Sequence, residues 1–304
     1  MTNVNRACRA RYLEEWLELA ERTARIGFKS REKLSAFTPQ PTDIFISPFA
    51  KCGTTWLQQT THGLRSRGDL DFEEITEVSP WIEMADQFGW DLQSDQSFSP
   101  RIFKSHLDYD NIPKGGKYIC SFRNPLSHLL SFYRFLEGWW FEPGAVSLDE
   151  FAYETTLKEP KTSGYFFHLT TWLTQKHNPN VLLLTYESMI ANFDRSLANI
   201  ARFMDIELDD ELIGIVKKQS SREFMLQHKS KFDEHLNAKK FEALGLAPMN
   251  PATSKITSGT PKSERYSISD ELKEYFQSTW KATITEQHQI ENYEQLVKTI
   301  ETLS

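Results

Sequence analysis

A short apolar run followed by a turn with one glycine, two hydroxyl side chains and a lysine constrains this chain more than any other feature. The run is Ile44-Phe45-Ile46, and Lys51-Cys52-Gly53-Thr54-Thr55-Trp56 follows it at the start of a helical pattern. Backbone N–H groups at a helix N-terminus have no partner within the helix and carry a partial positive charge. Lys51 adds a full charge. The pattern therefore predicts an α/β sheet with an anion-binding turn after one of its strands.

The order of residues in this turn differs from that of a Walker A loop. In a Walker A loop the lysine directly follows the last glycine. Here Lys51 comes two positions before Gly53, and Phe49-Ala50 stand where the flexible glycines would be. A nucleotide kinase or another P-loop NTPase shares the expected sheet, so it stays an alternative, but it would require the glycine-rich spacing that this chain lacks.

A histidine ends the next predicted strand, Arg101–His106. Open α/β sheets bind their ligands at the carboxyl ends of the strands, which is where His106 lies. Alternation along a strand places Lys104 and His106 on the same side of the sheet. A lysine beside a histidine is an arrangement that can steady an anion while removing a proton from a second reactant.

A third segment combines a strand with an arginine. Tyr118–Phe122 reads as a strand, and Arg123-Asn124-Pro125 follows it, with the proline suited to the first position of a helix. Ser131 lies on that helix, eight residues after Arg123. The planar fork of arginine donates two parallel hydrogen bonds to phosphate oxygens, so Arg123 is a candidate phosphate ligand.

These three segments together resemble the cytosolic sulfotransferases, which transfer the sulfuryl group of 3′-phosphoadenosine 5′-phosphosulfate (PAPS) and release 3′-phosphoadenosine 5′-phosphate (PAP). Lys104-Ser105-His106 stands where that family has Lys-Thr-His, and the resemblance covers roughly residues 43–275. It implies a three-layer α/β/α fold with a central, mainly parallel sheet, the P-loop-like sulfotransferase fold, in one domain over residues 1–304. A catalytically inactive protein that binds PAP or PAPS on the same fold is a second alternative.

The resemblance also implies roles for individual residues. His106 is expected to be the catalytic base, with Lys51 and Lys104 stabilising the charge on the sulfate. Trp56 is expected to stack on adenine, and no metal is implied. The residues expected to bind the nucleotide are Lys51, Cys52, Gly53, Thr54, Thr55, Trp56, Arg123, Ser131, Tyr186, Ser221 and Gly259.

The chain departs from the family pattern near its C-terminus. The Arg-Lys-Gly run of the family, which holds the 3′-phosphate, appears here as Thr257-Ser258-Gly259. Lys255, Lys262 and Arg265 are close enough in sequence to supply the missing charge, and the sequence leaves open which of them does. Arg222 stands where the family has a phenylalanine against adenine.

Composition and segment order bound the remaining questions. A chain of 304 residues with 39% hydrophobic residues can bury one large core. Its net charge of −7 argues against a nucleic-acid-binding surface. No apolar run approaches the ~20 residues of a membrane span, and three cysteines without paired spacing fit a reducing compartment. We therefore expect a cytoplasmic enzyme for small molecules, with no membrane or nucleic-acid partner, as a monomer or a homodimer.

Two segments are expected to flank the core. Residues 1–42 are predicted to form an N-terminal helical extension, with a helix from residue 9 to about residue 28. Residues 237–264 contain Pro248, Asn250, Pro251, Gly259 and Pro261. They are predicted to form a long mobile loop over the nucleotide, because structureless loops of this length are usually functional.

The stretch from Gly68 to Pro100 has two possible interpretations. It holds nine acidic residues, no lysine or arginine, and interspersed aromatic residues that include Trp81, Phe88, Trp90 and Phe98. In the resembled family this stretch helps line the acceptor pocket, and aromatic faces with carboxylates bind cations. A cationic acceptor is one interpretation. The other is that the acids form a solvated face while the aromatic residues belong to the core.

Overall fold

Four parallel strands form the centre of the molecule. The computed structural model describes residues 8–246, 255–256 and 266–303, with the backbone alone for residues 26–33. The strands are β1 (Ile44–Ile46), β2 (Ile102–Lys104), β3 (Lys117–Phe122) and β4 (Val181–Thr185). Their order across the sheet is β2-β1-β3-β4, and each neighbouring pair runs parallel. Phe45 of β1 lies opposite Phe103 on one side and Tyr118 on the other.

Helices connect and cover these strands. The α-helices before β4 are α1 (Leu13–Leu34), α2 (Thr54–Ser66), α3 (Ile75–Val78), α4 (Ala85–Phe88), α5 (Pro125–Trp139), α6 (Leu148–Ala152) and α7 (Gly164–Leu173). Those after β4 are α8 (Tyr186–Ala191), α9 (Phe193–Phe203), α10 (Asp210–Gln219), α11 (Arg222–Gln227), α12 (His235–Ala243), α13 (Asp270–Trp280), α14 (Glu286–His288) and α15 (Tyr293–Leu303). Single turns of 3₁₀ or π geometry complete the pattern at Ile82–Met84, Tyr153–Leu157, Lys229–Lys231 and Lys281–Thr285.

The two faces of the sheet belong to two separate hydrophobic cores. In β1, Ile44 and Ile46 pack with residues of α2, α9 and α10, whereas Phe45 packs with residues of α5, α7 and α15. Strand alternation is the cause, because successive side chains point to opposite faces. Both faces of a parallel sheet are normally covered in this way. The prediction of a three-layer α/β/α architecture with a parallel sheet is confirmed.

The N-terminal helix is part of the core that contains Phe45. The structure places α1 at Leu13–Leu34, so the predicted span from residue 9 to about residue 28 is displaced toward the C-terminus. Trp16 is 3% exposed and packs against the rings of Phe141 and Phe151. None of the helices in the described ranges is long and apolar enough to cross a membrane.

The loop prediction for residues 237–264 is wrong in its first part. Helix α12 continues to Ala243, and its buried Phe241 packs with Phe88 and Trp139. The prolines and glycine that motivated the prediction all come later, so nothing in residues 237–243 opposes a helix. Apart from Lys255 and Ile256, residues 247–265 lie outside the described residues, and the prediction of a loop there stays a prediction.

The order of the strands fixes where a ligand can bind. Strand β1 has β2 on one side and β3 on the other, so the chain reverses its direction of winding between β1 and β3. Open parallel sheets bind ligands in the crevice at the carboxyl ends of the strands beside such a reversal. The turn at Lys51 follows β1, His106 follows β2 and Arg123 follows β3, and all three lie at this edge.

Removal of one partner from the buried ion pair at the opposite edge should be strongly destabilising. Arg101 donates from Nε to Asp43 Oδ1 at 2.8 Å and from Nη2 to Oδ2 at 2.6 Å, and both side chains are almost fully buried. We expect Asp43→Asn to lower the free energy of unfolding by about 3–5 kcal/mol, because it leaves the guanidinium charge buried without its counter-ion. Urea denaturation measures this change.

The exposed pair between Lys117 and Asp205 provides the control. The Asp205 side chain is 80% exposed, so solvent screens this contact. Asp205→Asn should therefore cost about 1 kcal/mol or less. Equal losses for the two variants would contradict the expectation that burial makes the difference.

Candidate active site

The turn between β1 and α2 has a backbone that suits an anion. Lys51 and Gly53 both have positive φ, 65° and 101°. A Cβ on Gly53 would lie 3.2 Å from the Tyr186 ring in addition to the strained backbone, so glycine is required there. Thr54 begins α2, and its Oγ1 is buried with no hydrogen-bond partner among the described residues. A buried orphan hydroxyl at a helix N-terminus fits a ligand that accepts hydrogen bonds.

Arg123 joins this turn to the end of β3. Its Nη1 donates to the Lys51 carbonyl oxygen at 2.9 Å, and its guanidinium lies 4.4 Å from the centroid of the Tyr186 ring. Its Nε is buried and has no hydrogen-bond partner in the part of the chain that the structure describes. Arg123 therefore holds the turn in place and retains a donor that can bind an anion.

Three further residues predicted to bind the nucleotide lie on helices α2 and α5. Trp56 stacks on Phe193 at 5.3 Å and meets Tyr186 edge-on, so Phe193 covers one of its faces. Thr55 lies half-buried beside Thr54 in the first turn of α2. Ser131 is half-buried on α5, and in the described part of the chain its side chain forms no hydrogen bond.

Ser221, Cys52 and Gly259 complete the predicted set. Ser221 is the N-cap of α11, where its Oγ accepts from Phe224 N. Cys52 is fully buried with Sγ 3.8 Å from His128 Nδ1, and burial raises the pKa of its thiol. It therefore stays a packed thiol. Gly259 lies outside the described residues.

His106 is held in one tautomer by the same turn. Its Nδ1 is 2.8 Å from the Pro48 carbonyl oxygen, which can only accept, so Nδ1 carries the proton and Nε2 has the free lone pair. Burial lowers the pKa of His106 to about 3, and the Lys104 charge acts in the same direction. The imidazole is therefore neutral at neutral pH. The negative charge of a bound anion would raise its pKa toward a useful value for a base.

Lys104 lies beside His106, but its charge is already engaged. The ammonium group is 3.9 Å from the centroid of Trp81, whose ring also packs edge-on against His106 at 5.5 Å. The two side chains thus share one side, as strand alternation predicts. Lys104 Nζ also forms a buried ion pair with Glu234. Glu234 is not predictable as a site residue from the sequence, because a charged run such as Asp233-Glu234-His235 is typical of a solvated surface.

Within the described residues, Lys255 is a cation that reaches the site from the C-terminal region. Its ammonium group pairs with Glu234, and its carbonyl oxygen accepts from Lys51 Nζ at 3.4 Å. Burial lowers the pKa of Lys255 to about 8, with Glu234 opposing and Lys104 adding to the decrease. Of the three residues that could replace the missing clamp, Lys255 is the one within the described residues.

Positive charge is in excess around the turn. The Lys51 ammonium lies 4.3 Å from the centroid of Phe135. Burial lowers its pKa to about 7, and repulsion from Lys255 and Arg123 contributes. Among the described residues, Glu234 pairs directly with Lys104 and Lys255, and the Lys51 charge interacts with Lys104, Lys255 and Arg123. Such a site gains stability when a multiply charged anion binds.

The acidic stretch is chiefly a solvated face. Six of its nine acids are exposed: Asp71, Glu73, Glu77, Asp86, Asp91 and Asp95. Glu83 is the member that contacts the candidate base, because its Oε1 accepts from His106 N at 2.5 Å. Of the aromatic residues in this stretch, Phe88, Trp90 and Trp81 belong to one apolar cluster with Trp139 and Trp140.

The comparisons with known proteins agree on one family. The family model described as "Sulfotransferase domain" matches residues 41–296. Sulfotransferase 2A1 of Homo sapiens is 29% identical over 215 residues, which are 67% of this chain and 74% of that protein. An amine sulfotransferase of Oryctolagus cuniculus is 27% identical over 210 residues, covering 67% of this chain and 69% of that one.

Two solved structures have a similar fold. Retinol dehydratase in complex with androsterone and inactive cofactor PAP gives a TM-score of 0.66 at 17% identity, covering 85% of this chain and 86% of that one. The mouse sulfotransferase SULT7A1 complexed with PAP gives a TM-score of 0.61 at 18% identity, covering 90% and 93%. Both structures contain PAP.

The buried ammonium of Lys51 should make the protein less stable at neutral pH than it would be with an apolar side chain. Its folded pKa of about 7 is below the unfolded value of about 10.4. Below pH 7 both states are protonated, and the cost of burial is present in full. Between these pKa values the unfolded state binds more protons, so the free energy of unfolding rises with pH.

We therefore expect Lys51→Met to be more stable than the parent protein at about pH 6 and to lose this advantage toward about pH 10. Urea denaturation across this range measures the difference. The exposed Lys239→Met serves as the control and should show no such dependence on pH. A Lys51→Met variant that is less stable at every pH would contradict the expectation.

Proposed function

Because this chain belongs to the sulfotransferase domain family, it is a PAPS-dependent sulfotransferase, and we propose that His106 is the base that accepts the proton of the acceptor. The observation that carries this proposal is the contact of His106 Nδ1 with the Pro48 carbonyl oxygen. It leaves Nε2 as the proton acceptor. The kinase and the inactive nucleotide-binding protein, both open from the sequence alone, are superseded by the family assignment.

PAPS supplies the sulfuryl group that is transferred. Lys51, Arg123 and the N-terminus of α2 provide the positive charge and the donors for its phosphate and sulfate oxygens. The orphan atoms Thr54 Oγ1 and Arg123 Nε support this fit, because each is a buried polar atom that an anionic oxygen would satisfy. Preorganised donors of this kind are often the largest contribution to catalysis.

Each chain residue then has a distinct task. His106 Nε2 takes the proton from the acceptor as the acceptor attacks the sulfur in line with the leaving nucleotide. The cations stabilise the charge that develops on the leaving group. We propose that the transfer proceeds without a metal, because the positive charges of the lysines and of Arg123 can neutralise the negative charges of the donor. Activity that persists in excess chelator would support this.

The surroundings of the enzyme are proposed from separate observations. Within the described residues Cys8, Cys52 and Cys120 form no disulfide, which supports a reducing, cytoplasmic location. The net charge of −7 supports a small-molecule acceptor and no nucleic acid. Residues 1–304 are proposed to act as one domain.

The acceptor is proposed to carry a hydroxyl group or an amine or amide nitrogen, and the narrower proposal is that it also carries a cationic group. Support for the cationic group comes from Glu83 and from the aromatic cluster of Trp81, Trp139 and Trp140 near His106. The exposed acidic residues between Gly68 and Pro100 do not support a cationic acceptor. Burial raises the pKa of Glu83, which weakens it as a counter-ion.

Replacement of His106 tests the catalytic proposal. His106→Ala should lower kcat by about 10²–10⁴-fold, because the acceptor's proton loses its base. Binding of PAP, measured as a thermal shift, should persist. His62, a buried histidine on α2 that packs against Phe72 and Phe98, gives the control variant His62→Ala. Turnover that survives in His106→Ala would exclude His106 as the base.

An acceptor panel tests the narrower proposal. Amine-bearing alcohols should exceed neutral phenols of similar size in kcat/KM by about tenfold, and Glu83→Gln should reduce this preference. Thermal shifts with PAP control for loss of the folded site. A preference for neutral phenols in the parent protein would reject the cationic acceptor while leaving sulfuryl transfer intact.

A further inference from the structure

Glu234 is a buried carboxylate in the middle of the positively charged site. The residue is 3% exposed, precedes α12 as its N-cap, and has φ 61° and ψ 32°. Its Oε1 contacts both the Lys104 and the Lys255 ammonium groups. Burial by itself raises the pKa of this carboxyl, but the two ammonium groups lower it by more, so Glu234 is ionised.

The field of Glu234 extends to the candidate base and to the turn. Burial lowers the pKa values of both Lys51 and His106, and Glu234 opposes that decrease at both residues. The negative charge of Glu234 therefore stabilises the protonated form of Lys51, which is one of the cations proposed to bind the donor. The two lysines that contact it directly have side chains that are 2% and 9% exposed, so solvent screens the contact little.

The proposed reaction places the anionic sulfuryl group of the donor close to His106 and Lys104. The acceptor atom must be within hydrogen-bond reach of His106 Nε2 while it attacks sulfur, so the sulfuryl group also lies close to His106. Lys104 is the lysine beside His106, because both contact Trp81. The ammonium group best placed for the sulfuryl oxygens is thus the one that Glu234 holds.

We propose that the Glu234 carboxylate occupies the position of the donor's sulfuryl group between Lys104 and Lys255, and that PAPS displaces it on binding. The inference rests on the proposed function of the site. One anion replaces another, so neither lysine is left buried without a counter-ion. The left-handed backbone at Glu234 is an uncommon conformation for a side-chain-bearing residue, and leaving it recovers some of its cost.

A difference between donor and product follows from this exchange. PAPS carries the sulfuryl group and must displace Glu234. PAP lacks that group, so the carboxylate can keep its place while PAP is bound. Glu234 therefore competes directly with the sulfuryl group of PAPS, whereas it acts on PAP only through its field at Lys51, which affects both nucleotides alike. The direct competition sets the ratio of the two affinities.

Replacement of the charge tests the proposal. Glu234→Gln keeps the size of the side chain and removes the competing anion. Without acceptor present, its Kd for PAPS should fall by about tenfold or more, whereas its Kd for PAP should change by less than about threefold. Isothermal titration calorimetry measures both. Glu234→Asn is the second variant, because asparagine tolerates the left-handed backbone and preserves folding if the glutamine variant is unstable.

Asp43→Asn is the matched control. It removes one carboxylate from a buried ion pair of the same kind, at the opposite edge of the sheet. The variant should lose stability with an unchanged ratio of PAPS to PAP affinity. A changed ratio in this variant would mean that loss of stability alone produces the effect, and it would overturn the inference.

The outcomes separate the inference from the proposed function. Weaker or unchanged PAPS binding in a folded Glu234→Gln variant would overturn the inference and make Glu234 a positioning residue for Lys104. Equal gains for PAPS and PAP would also overturn it, since the carboxylate would then not mark the sulfuryl position. Failure of the parent protein to bind either nucleotide would instead contradict the proposed nucleotide site.

Discussion

The hydrogen bond from Arg123 to the Lys51 carbonyl oxygen is the interaction on which the site depends. It joins the chain after β1 to the chain after β3, which are neighbours because these strands pair in parallel. The same guanidinium lies over Tyr186, at the end of β4. One side chain thus fixes the relative positions of three strand ends. The anion-binding turn needs this support because Lys51 and Gly53 both have positive φ.

Strands, turns and helix starts that depend on neighbouring residues alone could be predicted from the sequence. The apolar run Ile44–Ile46, the glycine turn and Pro125 at a helix start each follow from strand, turn and capping preferences, and the structure confirms each. The start of α12 could not be predicted, because its burial depends on packing against Phe88 and Trp139, which are distant in sequence. Glu234 was missed for the same reason, since a charged side chain is expected in solvent unless its partners are known.

The cations gathered at the site lower the stability of the folded protein. Burial disfavours the charged forms of Lys51 and Lys255, and their mutual repulsion adds to this. Folded enzymes commonly accept such destabilisation where a substrate later compensates for it. One carboxylate, Glu234, offsets part of the repulsion before substrate arrives. Stability without substrate and affinity for it are therefore set by the same few charges.

The Pro48 carbonyl oxygen links binding of the donor to removal of the acceptor's proton. It belongs to the segment that leads into the anion-binding turn, and it also dictates which nitrogen of His106 bears hydrogen. Any movement of that segment would release the imidazole to rotate or to exchange its proton between nitrogens. His106 can therefore act as a base only while the backbone of the anion-binding turn keeps its conformation. The same backbone conformation is thus required for binding the donor and for removing the proton.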